Sequence, residues 1–284
     1  MSPSSDPVAA TAQRMATAIA EWIPRRIKTA LRGRRTSPRW VAGAIHGFLN
    51  CMPGDRYPVL ACCGPLKGYR MRLDWTKHRS FAYGSWEPEV VDAVSGVVRS
   101  GMRVIDIGAH GGFYVLLLSR LVGHKGSVIA FEPLPANLRM LNQNVAMNAL
   151  GNVTVEGVAV CDHSGQFELE APDPAALVVA GPMELSEIGK ALPVPCVSLD
   201  DYFAGNSVPI DFIKMDVEGA EDDVLRGAEK VVNTYHPSMM IELHNVGRAE
   251  EHPVPLYLQK IGYTIEWLSE VGYTAHTLAR WTGS

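Results

Sequence analysis

The sequence predicts an α/β fold built on an open, mostly parallel sheet. Two observations carry this. Residues 104–113, Val-Ile-Asp-Ile-Gly-Ala-His-Gly-Gly-Phe, read as a buried strand, a glycine turn and a helix start. The same strand-then-helix order recurs at residues 126–149 and again at residues 210–228. A strand that feeds a helix through glycines opens a cleft at its carboxyl end.

The ligand of that cleft follows from what the turn lacks. A dinucleotide fingerprint needs glycine at its third position, where this chain has His110. No G-x-x-x-x-G-K-[ST] stretch exists, which excludes a P-loop. Asp106, two residues before Gly108, puts a carboxylate on the strand tip. That suits a cationic ligand better than a pyrophosphate. S-adenosylmethionine fits: it has a sulfonium, an amino group, a ribose and an adenine, and no phosphate. The second strand ends in Glu132, where an acid accepts hydrogen bonds from ribose hydroxyls. The competing reading is an α/β turn with two solvated acids and no ligand.

At 284 residues the chain can bury a full core plus an extension. Its 47% hydrophobic and 20% charged content are ordinary for a globular protein. A net charge of −4 gives no global case for nucleic acid. No apolar run is long enough to span a bilayer. Five cysteines without paired C-x-x-C spacing read as reduced thiols in a cytoplasmic protein.

In chain order, residues 1–40 pair a helical apolar spacing with seven basic residues, Arg25 to Arg39. They read as a solvated basic arm or as a peripheral contact with anionic lipid. Residues 42–84 form a small subregion, with Asp74, Trp75, His78 and residues 81–84 as a lid or acceptor wall. The expected division is therefore 1–85 for arm and lid and 86–284 for the main domain. Within the latter, residues 88–98 are a helix and residues 136–149 another, with Asn142, Asn144 and Asn148 on its wet face. Residues 153–160 are the third strand, and Asp162 just beyond it either reaches an adenine amino group or simply forms the turn. Residues 166–170 are a further strand. Residues 171–192 read as a mobile insertion or lid, and residues 194–197 as an edge strand because of Pro193 and Pro195. Ser198 caps a short helix, with Asp201 three residues on.

A second polar cluster follows. Residues 210–221 are a strand running into a helix, and residues 239–245 are the next strand. The carboxyl-end rule brings Asp216, Glu218, Glu242 and His244 to the same cleft as Asp106. Glu218 and Glu221 alone would be explained as acids at a helix N-terminus.

The blocks D-I-G-A-H-G-G-F-Y, F-E-P-L-P, C-V-S-L-D-D-Y, I-K-M-D-V-E-G-A-E and I-E-L-H-N, in this order, resemble the FkbM family of S-adenosylmethionine-dependent methyltransferases. The resemblance covers residues 86–245. It implies a class I, Rossmann-like methyltransferase fold, a seven-stranded mostly parallel sheet with a C-terminal antiparallel hairpin. Residues 253–262, 263–268 and 273–281 supply the closing helix and hairpin. It implies a cofactor site of Asp106, Gly108, Ala109, His110, Gly112, Phe113, Glu132 and Pro133, joined by Glu87 and Asp162. The family usually carries Asn where His110 stands. The acceptor side would be Asp216, Glu218, Glu242 and His244, and the acceptor a hydroxyl on a sugar, glycolipid, polysaccharide or polyketide-type natural product.

The expected chemistry is in-line methyl transfer from sulfonium to oxygen. His244 is the expected base, since an unperturbed imidazole titrates near neutrality. A packed or capping histidine is the alternative. Mg²⁺ on Asp216, Glu242 and Glu218 is a second expectation, because a hard cation prefers oxygen ligands. Methylation of nitrogen, a nicotinamide oxidoreductase and a non-catalytic cofactor-binding partner are the rival functions. The sequence leaves open the acceptor and the oligomeric state, a homo-oligomer included.

Overall fold

A computed structural model describes residues 58–61, 63–73, 78, 80–82, 84–169, 191–205, 209–244, 246, 251–271 and 273–283. The basic arm, Asp74, Trp75 and Tyr83 of the expected wall, and nearly all of the expected insertion lie outside the described residues. The chain divides into two compact units, Met1–Trp86 and Glu87–Ser284.

In the first unit, β1 (Val59–Leu60) pairs antiparallel with β2 (Arg70–Met71). Gly64 and Gly84 both have positive φ. A Cβ on either would lie 2.4 Å from the other's Cα, so the two backbones touch where no larger residue fits.

The second unit begins with α1 (Pro88–Val97), β3 (Arg103–Ile107), α2 (Phe113–Val122), β4 (Ser127–Phe131), α3 (Pro135–Met147) and β5 (Val153–Glu156). The short β6 (Ala159–Val160), β7 (Gly165–Leu169), β8 (Leu192–Val197) and α4 (Leu199–Tyr202) follow. The chain continues through β9 (Phe212–Met215), α5 (Glu221–Arg226), α6 (Glu229–Tyr235) and β10 (Ser238–Leu243). It closes with α7 (Pro253–Lys260), β11 (Tyr263–Val271) and β12 (Thr274–Trp281).

The main sheet has seven strands in the order β5-β4-β3-β9-β10-β12-β11. The first five run parallel, and β12 and β11 form the antiparallel hairpin. This is the seven-stranded, mostly parallel sheet with a closing antiparallel hairpin that the resemblance implies. Helices cover both faces, so the central strands are apolar on both sides. Ile105, Ile107, Phe131, Ile213, Met215 and Ile241 are all buried in one core cluster. α2 lies against β3 and β4 and is buried through its first two turns, which explains its nearly uninterrupted apolar sequence.

Three expectations are corrected. The expected third strand, 153–160, is two strands: β5 stays in the main sheet, while β6 joins a three-stranded sheet, β6-β8-β7. The chain turns at Gly157, where a Cβ would lie 2.8 Å from Leu138 Cδ2. β8 is the middle strand of that small sheet and not an edge. β6 reaches it only at Cys196 and Val197, past both prolines, so their missing donors do not prevent pairing. Asn144 is fully buried and does not belong to the wet face of α3. The Ser198 cap forms as expected, its side chain accepting from Asp201 N–H at 3.1 Å.

Candidate active site

The glycine turn sits at the centre of the sheet, between β3 and α2. The N–H groups of Gly108 and Ala109 both donate to Phe131 O, at 3.1 and 2.9 Å, which ties the turn to the end of β4. Gly108 has φ +77, and a Cβ there would lie 1.8 Å from Asp216 O. Backbone meets backbone at this point, so only glycine can occupy it. His110 also has positive φ, at 48. Asparagine and histidine are among the side chains best tolerated in that region, so the Asn-to-His departure preserves the turn. Gly112, φ +93, occupies the N-cap of α2.

Glu132 braces the turn. Its Oε2 accepts from His110 N–H at 2.7 Å, and its Oε1 accepts from Leu134 N–H at 2.9 Å. Asn137 adds a longer contact at 3.4 Å. Burial pushes the carboxyl up to about 7, although these donors oppose the shift. From α3, the buried Asn144 amide donates to Gly111 O at 2.7 Å. Its burial is thus explained by the turn it pins.

Asp106 is completely enclosed, and neither carboxylate oxygen has a hydrogen-bond partner. Its companion is Lys214, also buried, whose Nζ lies 3.9 Å from Asp106 Oδ1 and 3.1 Å from Asp216 Oδ2. The ammonium also lies 5.0 Å from the centre of the Tyr114 ring. Burial raises Asp106 to about 6 against the pull of Lys214. For Lys214 burial opposes the charge, but Asp216 and Asp106 outweigh it and raise the amine to about 12. Burial pushes Asp216 up, yet Lys214, His244 and His110 together hold it below its ordinary value.

Beyond Asp216 the polar tips gather. His244 Nδ1 lies 2.7 Å from Glu221 Oε1, and Glu221 is 1% exposed. Its Nε2 lies 3.4 Å from Glu218, 3.8 Å from Glu242 and 3.9 Å from Asp216. Burial disfavours the imidazolium, but the Glu221 contact and the charges of Asp216, Glu221 and Glu218 raise His244 to about 9. The expectation of an unperturbed imidazole near neutrality is therefore corrected: carboxylates surround the ring and hold its proton. Glu218 stands at φ 55, a backbone region that side chains occupy at a cost.

The expected Mg²⁺ set is also rearranged. Asp216 and Glu218 group with His244, while Glu242 groups with Glu87 and His276; within each group the donor atoms lie within 4.8 Å of one another. Each group includes an imidazole nitrogen, so neither is the all-oxygen set that Mg²⁺ prefers. Glu87 accepts from Tyr114 O–H at 2.6 Å.

Among the other expected cofactor residues, Ala109 and Phe113 are buried in and beside the turn, and Pro133 directly follows Glu132. Asp162 is not at the tip of the main sheet's third strand, which ends at Glu156. It follows β6, is solvent-exposed, and pairs with His163 Nδ1 at 2.6 Å. Sequence reasoning missed Lys214, Tyr114 and His276. Two of them become visible only once the strands are set in register. Lys214 is the direct cross-strand partner of Asp106, and His276 that of Glu242.

The model of the methyltransferase FkbM domain matches residues 106–275. The chain belongs to the FkbM methyltransferase family. Three solved structures similar to this FkbM chain are as follows. Methyltransferase FkbM from Methylobacillus flagellatus is 18% identical, with 73% of this chain and 54% of that one covered and a TM-score of 0.46. A SAM-dependent methyltransferase from Aquifex aeolicus is 20% identical, with 69% and 90% covered and a TM-score of 0.40. Fibrillarin from Aeropyrum pernix, solved with natively bound S-adenosyl-L-methionine, is 15% identical, with 67% and 72% covered and a TM-score of 0.42. The chain thus spans about half the length of the Methylobacillus protein. No curated protein matches it. Among the described residues, no helix is long and apolar enough to cross a membrane.

Proposed function

We propose that this FkbM methyltransferase moves a methyl group from S-adenosylmethionine to a hydroxyl of a sugar, glycolipid, polysaccharide or polyketide-type natural product. The observation that carries the reading is the shared wall between two sites. The Gly108 turn, braced by Glu132, touches the Asp216 backbone, and Asp216 begins the polar cluster of Glu218, Glu242 and His244. A cofactor in the turn would present its sulfonium toward that cluster. An acceptor rich in hydroxyls finds carboxylate acceptors there.

The two carboxyl-end acids take different parts. Glu132 would accept from ribose hydroxyls with the lone pairs left by His110 and Leu134. Asp106, enclosed beneath the turn with Lys214 countering its charge, shapes the floor of the site without reaching the ligand. Glu221 fixes the ring of His244 through Nδ1, so that Nε2 faces the acceptor side.

In the proposed reaction the methyl–sulfur bond breaks as a methyl–oxygen bond forms. S-adenosylhomocysteine leaves, and the acceptor's hydroxyl proton passes to the carboxylate–imidazole cluster. The protein's contribution is alignment of the two reacting atoms and a defined destination for that proton.

The experiment is incubation of the full chain with methyl-deuterated S-adenosylmethionine and an extract of the cells that make it. Mass spectrometry should find one new product carrying a trideuteromethyl group, and NMR should place that group on oxygen. A label on nitrogen would replace the acceptor class. Absence of label from every product would refute the transfer.

A further inference from the structure

We infer that the chain holds a pair of divalent first-row transition-metal ions at the carboxyl ends of β9 and β10. One ion lies on Asp216, Glu218 and His244, the other on Glu87, Glu242 and His276, with Glu242 between them. The inference concerns binding and does not rest on the methyl-transfer reading.

Four observations support it. First, both triads bring their donor atoms within 4.8 Å of one another. Three donors at about 2.1 Å around a tetrahedral ion lie about 3.4 Å from one another, so each triad needs to close by about 1.4 Å at most.

Second, both imidazoles are oriented alike. His244 Nδ1 is held by Glu221 at 2.7 Å, and His276 Nδ1 lies 2.9 Å from Ser269 Oγ. In each case Nε2 is the nitrogen that faces the carboxylates. A histidine tethered through one nitrogen, with the other aimed at acids, is the arrangement that metal-bound histidines show.

Third, His276 is 6% exposed, and its Nε2 has no hydrogen-bond partner. Glu242 Oε2 is only 3.2 Å away but outside the direction a ring N–H would need. That pair is charged only when the ring is protonated, and a metal ion on the Nε2 lone pair would take the proton's place between ring and carboxylate. His276 and Glu242 are direct register partners on β12 and β10, so the sheet itself fixes their approach.

Fourth, Glu242 points one oxygen each way. Its Oε1 lies 3.8 Å from His244 Nε2, and its Oε2 lies 3.2 Å from His276 Nε2. A carboxylate so placed is the natural bridge between two ions, the geometry that two-metal sites use. Glu87 and Glu218, one from each triad, also take positive φ, at 39 and 55. Backbone strain of that kind collects at ligand sites.

The donor set selects the ion. One imidazole nitrogen and carboxylate oxygens per site suit Zn²⁺ or Mn²⁺ better than Mg²⁺, which demands oxygen and keeps its waters.

The test uses the full chain, stripped with a chelator and then given Zn²⁺, Mn²⁺ or Mg²⁺ separately. After gel filtration, elemental analysis should find about two equivalents of Zn²⁺ or Mn²⁺ and almost no Mg²⁺. Glu242→Gln should weaken retention of both equivalents by at least tenfold, and His244→Ala and His276→Ala should each remove one. X-ray absorption of the zinc-loaded wild-type chain covers the case of a variant that does not fold. It should show a mixed nitrogen and oxygen shell with imidazole scattering. Retention below two equivalents, retention unchanged in the folded Glu242→Gln variant, or an all-oxygen shell would each overturn the pair. Calorimetry with S-adenosylhomocysteine on the metal-free chain reads the proposed cofactor site separately.

Discussion

Replacing Lys214 with methionine removes the positive charge that lies between Asp106 and Asp216. The side chains are similar in length, so the change tests charge more than packing. In the native chain the ammonium stands 3.1 Å from Asp216 and 3.9 Å from Asp106, and it is 2% exposed. Without it Asp106 is left enclosed, with no hydrogen bond to either oxygen. Breaking a buried pair from one side costs about 3–5 kcal/mol, because the remaining charge is uncompensated. For a unit of this size that corresponds to a fall in Tm of about 6–20 °C. Urea denaturation followed by circular dichroism is the assay, with Asp106→Asn added to Lys214→Met as the control. The double variant should recover a large part of the loss, since the uncompensated carboxylate is gone. A Lys214→Met chain within about 1 kcal/mol of wild type would refute the view that this lysine neutralises the floor of the site.

Three further outcomes follow from the site. The Glu132 carboxyl is raised to about 7 in the free chain, and ribose hydroxyls donate to its ionised form. Affinity for S-adenosylhomocysteine should therefore be full above that pH and fall about tenfold per unit below it; calorimetry on Glu132→Gln should show a flat profile, and a flat wild-type profile would remove Glu132 from the ligand. His110→Asn should leave stability within about 0.5 kcal/mol, whereas β-branched His110→Val should cost about 1–2 kcal/mol at this positive φ; equal denaturation midpoints would contradict the backbone account of the turn. The His244 ring, raised to about 9, must lose its proton before it can accept one, so turnover should rise with pH toward that value; near it His244→Ala should lower turnover by about 10²–10⁴-fold and remove the rise while leaving S-adenosylhomocysteine affinity intact, and an unchanged pH profile would reduce the residue to packing.

Local chemistry made the glycine turn of this protein, with the acid that braces it, legible in its sequence. The glycine turn, the acid that ends the next strand and the Ser198–Asp201 cap each stand in a short run of sequence that shows its local form before any partner is known. The closing antiparallel hairpin came from the family resemblance, which the pattern of residues 253–281 fits. What stayed hidden depends on register. Lys214 looks like a stray charge in a buried strand until β9 is set beside β3, which makes it the neighbour of Asp106. His276 comes from the last strand, and only the β10–β12 pairing brings it to Glu242. Asn144 fits the polar stripe of α3 by periodicity, yet its amide is required by the Gly111 carbonyl 33 residues earlier. His244 was found by position and misjudged by charge, because Glu221 reads as a capping acid when the fold is not in view.

The most direct measurement is a calorimetric titration of the full chain with S-adenosylhomocysteine, repeated with NAD⁺. Saturable heat with the first ligand, its loss in Glu132→Ala, and no heat with NAD⁺ are the predicted results. Heat with NAD⁺ alone, or none with S-adenosylhomocysteine, would contradict the assignment of the Gly108–Glu132 turn to an adenosyl sulfonium.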